Sequence, residues 1–158
     1  MANLDFITKE GMIYLQKRIQ DLNDIRPSII IRVQVAREQG DLSENAEYKA
    51  GKDELRMVDK EIDYLNRRSA KVMVLDPETI PKDKVRFGAF VRVVEISNNI
   101  ETLYRLVGVD EVNFLEEGCN KISVASPIGL GMTGKEIGQI AIAKTPRGLR
   151  EFKILEIY

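Results

Sequence analysis

The chain has no histidine and only one cysteine, Cys119. These shortages exclude a disulfide within the chain and every histidine-containing zinc or catalytic arrangement. Any metal chemistry must then be carboxylate chemistry, which suits oxygen-bound ions such as magnesium or manganese. An excess of one charge is also missing, since 24 Lys and Arg stand against 25 Asp and Glu for a net charge of -1. Binding nucleic acid mainly by neutralising phosphates calls for a basic excess, so autonomous nucleic-acid binding is disfavoured and any such role must come from local charge. No stretch approaches the ~20 apolar residues of a membrane helix, and the start, MANLDFITKEG, has no apolar segment or cleavage site of the signal-peptide kind. No membrane partner is expected, and the cytoplasm is the expected compartment. Hydrophobic residues make up 44% of the chain and charged residues 31%, enough apolar matter for a core. A length of 158 residues suits one ordinary domain or two small units.

Two periodicities favour two units. From Thr8 onward, Met12, Leu15, Ile19, Leu22, Ile25, Ile29, Val33 and Ala36 recur at spacings of three and four. Such a stripe over ~30 residues predicts a long helix with a coiled-coil seam, capped by Thr8 although Gly11 makes a poor capping box with it. Pro27 lacks an amide proton, so a kink or local irregularity is expected there within one continuing helix. Gly40-Asp41 is a stop and restart: Gly40 suits a left-handed helix end, and Asp41 with Glu44 forms a box of the capping type for a second helix. That helix carries Leu55, Val58, Ile62, Leu65, Ser69 and Val72. Two amphipathic helices joined so tightly must run antiparallel, as a rod ~45 Å long.

DPETIPKDK, Asp76 to Lys84, holds two prolines among charges and marks a boundary. Beyond it the period becomes that of strands: Phe90 to Ile96, Glu101 to Val107, Ile122 to Val124, Gln139 to Ala143 and Arg150 to Ile157, with Ser97-Asn98-Asn99 and Pro146-Arg147-Gly148 as turns. Gly134 to Ile137 reads as a short helix or turn, and the apolar, glycine-rich stretch from Ser126 to Met132 as a loop covering the core. The fold class is α+β: a helical hairpin over 1–77 with an acidic tip at 37–48, a linker at 78–84, and a globule on an antiparallel or mixed sheet over 85–158. Tyr104, Phe87, Phe90 and Phe114 are expected to fill its core.

The chemistry concentrates at the tip, AREQGDLSENAEY, where Asp41, Glu44 and Glu47 lie three apart. These residues leave two readings open. Acidic groups stabilise the positive end of a helix, and two carboxylates also make part of a divalent-metal site, with water or another partner completing the shell. Behind the tip, Lys49, Lys52 and Arg56 follow at helical spacing, a solvated basic face on pattern alone.

GDLSENAEY from Gly40 to Tyr48, preceded by Arg26-Pro27 and Ala36-Arg37, resembles the signature of the Gre transcript-cleavage factors, chiefly of the GreA type. The likeness continues through Phe87-Gly88, YRLVGVDE from Tyr104 to Glu111, Ile122-Ser123, Ser126-Pro127-Ile128, Gly134-Lys135 and Thr145-Pro146, covering nearly the whole chain. It implies an antiparallel coiled coil followed by an FKBP-like domain that docks on bacterial RNA polymerase at its secondary channel, with the rod entering the channel. It further implies that Asp41 and Glu44 help hold Mg²⁺ at the polymerase active centre and orient the attacking water. The isolated chain would then be no enzyme and would hold no ion stably. Ser43, Asn45 and Tyr48 would position the tip, while Arg37, Lys49, Lys52 and Arg56 would meet the 3′ end of the backtracked RNA. Ser126, Pro127 and Ile128 would dock on polymerase.

Gly51, where alanine is frequent, and the segment Gly51 to Arg68 resemble the GreB type and blur the subtype, while Gly129, Gly131 and Gln139 also depart from the pattern. Three other functions compete. A regulator that occupies the channel without stimulating cleavage is disfavoured by the intact tip acids. A prolyl isomerase is suggested only by the expected fold and lacks a distinct aromatic pocket. A scaffold or homodimer through the rod is disfavoured by the short Gly40-Asp41 turn, which favours internal pairing and a monomer.

Overall fold

The computed structural model describes residues 5–40, 45–113 and 118–158. They form two compact units. Residues 13–71 make one, and the described part of 1–12 packs with 72–158 in the other. Of the stretch 1–77 expected to be the rod, residues 5–12 and 72–77 group with the sheet unit.

The hairpin consists of α1, Lys9–Glu38, and α2, Ala46–Lys71. In α1 the deeply buried residues Leu15, Leu22, Ile29 and Ala36 recur every seventh position, the repeat of a coiled-coil seam. Leu22 and Ile29 pack with Val58 of α2, flanked by half-buried Leu55, Ile62 and Leu65. Ile25 does not join them: it is 45% exposed, and the heptad places Arg26 nearer the seam instead. Arg26 makes a forked pair with Asp59, Nε to Oδ1 at 2.6 Å and Nη2 to Oδ2 at 3.3 Å. Its hydrogen bonds hold the Asp59 carboxyl below the usual carboxylate range. Arg18 with Glu61 at 2.9 Å and Arg32 with Glu54 at 2.8 Å repeat the pattern of arginine on α1 and acid on α2. Exposed pairs of this kind contribute little each, and their use here is to favour one antiparallel register. Pro27 does not interrupt α1, which is one helix from Lys9 to Glu38. Pro27 and Asn23, whose carbonyl loses its helical partner, are both exposed, so the missing bond is no buried deficit.

Gly51 is buried, and a Cβ there would lie 2.8 Å from Val33 Cγ2. The mid-helix glycine thus buys close approach of the two helices at a cost of about 1 kcal/mol in helix propensity. Gly51→Ala in the parent is expected to gain less than that amount, because Val33 is stiff at χ1 and must shift. In a Val33→Ala background the same change should recover about 1 kcal/mol. Urea denaturation of the four proteins of the cycle measures the difference.

In the other unit, β1, Phe6–Thr8, pairs in parallel with β2, Met73–Leu75, aligning Phe6 with Met73. A 3₁₀ turn over Pro77–Thr79 follows, capped by Asp76, which accepts from Glu78 N at 3.1 Å. Five strands then form the main sheet: β3, Phe90–Glu95; β4, Glu101–Val107; β5, Asn120–Ser123; β6, Ile140–Thr145; and β7, Gly148–Ile157. Their order is β5-β4-β3-β7-β6, antiparallel except for the parallel β4–β5 pair, so the sheet is mixed. Alternation on β3 turns Val91 and Val93 inward, where they meet Leu106, Ala141, Phe152 and Ile154. Tyr104 meets Phe152 edge-on with centroids 6.2 Å apart, and Phe87 tilts against Phe6 at 5.8 Å. Phe90 instead stacks on Tyr158 at 6.1 Å, half-buried, and Phe114 lies outside the described residues.

The stretch read as a covering loop contains a helix, α3, Pro127–Met132. Its glycines explain themselves by contact: a Cβ on Gly131 would stand 2.5 Å from the Ile142 carbonyl oxygen, and one on Gly129 would stand 3.0 Å from Val124 Cα. They allow α3 to lie directly on the backbone of edge strand β6 and against the end of β5, covering strand edges that would otherwise be open. Gly134 to Ile137, read as a short helix or turn, form no helix and lie in turns. Among the described residues no helix is long and apolar enough to cross a membrane.

Glu95 is 7% exposed and receives both Nε and Nη2 of Arg150, at 3.0 and 2.9 Å. Those hydrogen bonds hold its carboxyl below the usual range against the opposing effect of burial. A group whose folded pKa is depressed stabilises the fold above its unfolded pKa, and that contribution is lost as pH falls through the folded value. Stability of the sheet unit is therefore expected to drop as pH descends through and below the ordinary glutamate range, with Glu95→Gln flattening that part of the profile. Urea midpoints measured from about pH 7 to about pH 3 provide the check.

Candidate functional site

The hairpin end is organised by Asn45. Its side-chain oxygen accepts from Tyr48 N at 3.0 Å, the cap of α2, and its Nδ2 donates to the Ala36 carbonyl at 2.6 Å. One side chain thus satisfies a free amide at the start of α2 and a free carbonyl at the end of α1. Gln39 N donates to the same Ala36 oxygen at 3.3 Å, and Gly40 takes φ of 146°, as its role in ending α1 predicts. The cap of α2 is therefore Asn45, not the Asp41–Glu44 box read from the sequence, because α2 starts at Ala46. Asn is as good an N-cap as Asp, so this signal was present in the sequence and was outweighed by the acids. Asp41, Ser43 and Glu44 lie outside the described residues.

On the first turns of α2, Tyr48 is half-buried, with Lys52 Nζ 5.2 Å from its ring centroid. Such a cation–π contact pre-orders the lysine while leaving its charge available. Arg56 is paired with Asp53 at 3.0 Å, in a surface pair that water weakens. Lys49 and Glu47 are exposed, and Arg37 is exposed in the last turn of α1, where its charge suits the negative helix end. The cationic residues Lys49, Lys52 and Arg56 thus share one helix within two turns. Among the described residues no group of three or more Asp, Glu, Cys or His is placed to hold a metal ion.

The second candidate region is α3. Ser126 caps it, accepting from Gly129 N at 3.1 Å and donating to the Ser123 carbonyl at 2.6 Å, with Pro127 at the first helical position. Pro127 is exposed. Ile128 and Met132, four residues apart, share the face turned to the core, which leaves Leu130 outside at 66% exposure. Pro127, Leu130, Ile142 and Lys144 line a shallow apolar hollow beside β6. Sequence reasoning missed Leu130 because it read a loop; helical spacing would have separated it from Ile128.

Residues 5–74 match the family described as transcription elongation factor, N-terminal, and residues 80–158 the family described as transcription elongation factor, GreA/GreB, C-terminal. The transcription elongation factor GreA of Syntrophus aciditrophicus is 40% identical over 153 residues, covering 96% of this chain and 93% of the relative. That of Nitratidesulfovibrio vulgaris is 38% identical over 151 residues, covering 96% of this chain and 91% of the relative. That of Nitratiruptor sp. is 37% identical over 158 residues, covering 100% of this chain and 95% of the relative. Among solved structures, GreA factor homolog 1 of Thermus thermophilus is 23% identical, with 99% of each chain covered and a TM-score of 0.45.

Proposed function

Since the chain belongs to the GreA/GreB family of transcription elongation factors, we propose that it binds bacterial RNA polymerase, inserts its hairpin tip into the secondary channel and stimulates Mg²⁺-dependent cleavage of backtracked RNA. The observation that carries this reading is at the tip. Asp41 and Glu44 fall in the sequence between Glu38, the last residue of α1, and Ala46, the first of α2, and Asn45 supplies the helix cap for which those acids would otherwise be needed.

A pair of carboxylates matches the oxygen-donor preference of Mg²⁺, but two ligands leave most of its shell to other groups. Asp41 and Glu44 would hold the ion jointly with polymerase, so the isolated chain is inert on RNA. The bound ion supplies Lewis-acid activation of the attacking water and stabilisation of the leaving oxygen. Asn45 and Tyr48 hold the tip in place, with Ser43 as their neighbour in the motif. Lys49 and Lys52, with Arg37 and Arg56, neutralise phosphates of the RNA 3′ end without reading its sequence. Ser126 and Pro127 on capped α3 dock the sheet unit on polymerase together with exposed Leu130, while Ile128 supports α3 from the core side. The protein would work as a monomer, a reading supported by the packing of Leu22 and Ile29 on Val58 within the hairpin.

The test is a stalled, backtracked elongation complex carrying end-labelled RNA. Added protein should release short 3′ fragments in the presence of Mg²⁺, while free RNA stays intact with the protein alone. Binding to polymerase with no rise above its own cleavage rate would instead identify a non-cleaving regulator of the same channel.

A further inference from the structure

Between the last two turns of α1 and the first turns of α2 lies a hollow of about 480 Å³, lined by Ile31, Val35 and Ala36 on one helix and by Glu47, Ala50 and Gly51 on the other. Its cause is side-chain size. Gly51 lets the helices approach at Val33, and Ala50 beside it ends at Cβ, so α2 offers no long apolar side chain to cover Ile31 and Val35. These two stand four residues apart on one helix face and are 58% and 48% exposed, whereas Ala36 beneath them is buried. Single exposed apolar residues are ordinary on a protein surface, but apolar residues gathered in a walled concavity with a few polar groups at its edge form a binding site. The charges at this edge are acidic on balance. Arg32 is engaged by Glu54 at 2.8 Å, which leaves Glu47 exposed and with no ion pair among the described residues. Glu47 also suits the positive end of α2, a role that leaves its carboxylate open to a further cation.

We propose that this hollow is a docking site for a protein segment of RNA polymerase that presents a large apolar side chain with a Lys or Arg beside it. The proposal rests on the reading that the hairpin enters the polymerase channel, and adds to it a contact with protein rather than with RNA or metal. Complementarity of charge selects this occupant. The phosphates of RNA would meet the unpaired Glu47, and Ile31 and Val35 offer them nothing. A second copy of the chain, paired through the same face about a two-fold axis, would set one acid-edged hollow against another. A cationic, apolar segment satisfies both features of the site. Its apolar side chain leaves water against Ile31, Val35 and Ala50, and its cation meets Glu47. An apolar anchor in a pocket is also the arrangement in which a few side chains carry most of the energy of an interface.

The experiment measures competition binding to RNA polymerase core enzyme, and RNA cleavage in a backtracked complex against protein concentration, for the full-length parent and four variants. Ala50→Leu fills the hollow with a good helix former, and Val35→Thr keeps the shape of its wall while adding a hydroxyl. Glu47→Lys reverses the charge at the edge. Gln34→Leu, the control, adds an apolar side chain at an α1 position outside the hollow. All four positions are exposed, so the hairpin should keep the far-UV circular dichroism of the parent. Ala50→Leu and Glu47→Lys should each raise the half-saturating concentration by ~10-fold and Val35→Thr by ~3-fold, while cleavage at saturating protein stays within ~2-fold of the parent. The Glu47→Lys deficit should shrink with added salt, and the Ala50→Leu deficit should not. Should Ala50→Leu lose helix, Val35→Thr and Glu47→Lys decide by the same criteria. Parent-like binding of the hollow variants, or an equal loss in Gln34→Leu, overturns the proposal. Self-association of the parent in sedimentation that Ala50→Leu abolishes assigns the hollow to a second copy and overturns it as well. A parent that does not bind polymerase overturns the function proposed above together with this site, whereas a parent that binds no better than its hollow variants overturns the site alone.

Discussion

Asp41→Asn and Glu44→Gln are each expected to reduce stimulated RNA cleavage by ~100-fold or more, while polymerase binding stays within ~3-fold of the parent. Both changes keep side-chain size and remove the charge through which a carboxylate holds a divalent cation. They should leave the hairpin intact, because the cap of α2 and the tie between the two helix ends belong to Asn45. Circular dichroism at 222 nm and competition binding separate the chemistry from folding and docking. The dependence on Mg²⁺ adds a second signature: if the variants are impaired in sharing the ion, part of their lost rate should return at higher Mg²⁺. Variants that cleave like the parent would make the tip acids surface charges, and the protein a factor acting by occupancy.

Phe152→Ala is expected to cost ~3–5 kcal/mol, the typical range for removing a large aromatic ring from a packed core. Phe152 is 2% exposed and sits on β7, a strand hydrogen-bonded on both sides, with Tyr104 against its edge and the Arg150 guanidinium 5.0 Å from its ring centre. A loss of that size is a large part of the ~5–15 kcal/mol that separates a folded domain from its unfolded chain. Urea denaturation should show a lowered midpoint for the sheet unit, whereas Leu149→Ser, at a position 69% exposed, should move stability by less than ~0.5 kcal/mol. Because α3 packs on β6 and β6 pairs with β7, the Phe152 variant should also lose polymerase binding at temperatures where Leu149→Ser retains it.

The tip and the sheet unit differ in how their parts are specified. The tip is local: its acids, its cap and the basic residues behind it fall within twenty consecutive positions. The sheet unit draws its small parallel pair from Phe6 and Met73 and its core from strands scattered over seventy residues. The rod's seam lies between these cases, with a heptad that is local and cross-helix partners that are not.

Sequence alone determined the elements whose repeats are longer than a few residues. The seven-residue recurrence of Leu15, Leu22, Ile29 and Ala36 makes α1 a seam helix wherever it finds a partner, and β4 runs from Glu101 to Val107 as its composition required. Sequence also carried the tip motif and with it the family. Periodicity reports what a residue's near neighbours do, and here neighbours agreed. Only the tertiary structure decided the rest. Three-residue strands such as β1 and β2 are too short to show a period and exist because each finds the other across the length of the hairpin. Arg26 displaced Ile25 at the seam because Asp59 was opposite it, and Asn45 took the cap because it also reaches Ala36. Gly51, Gly129 and Gly131 read as weak points in isolation, and contact with Val33, Val124 and Ile142 makes them the places where backbones approach. Glu111 is the extreme case: its partner Thr8 stands 103 positions away, and only the closed fold brings a carboxylate to the amide that a local capping box would have served.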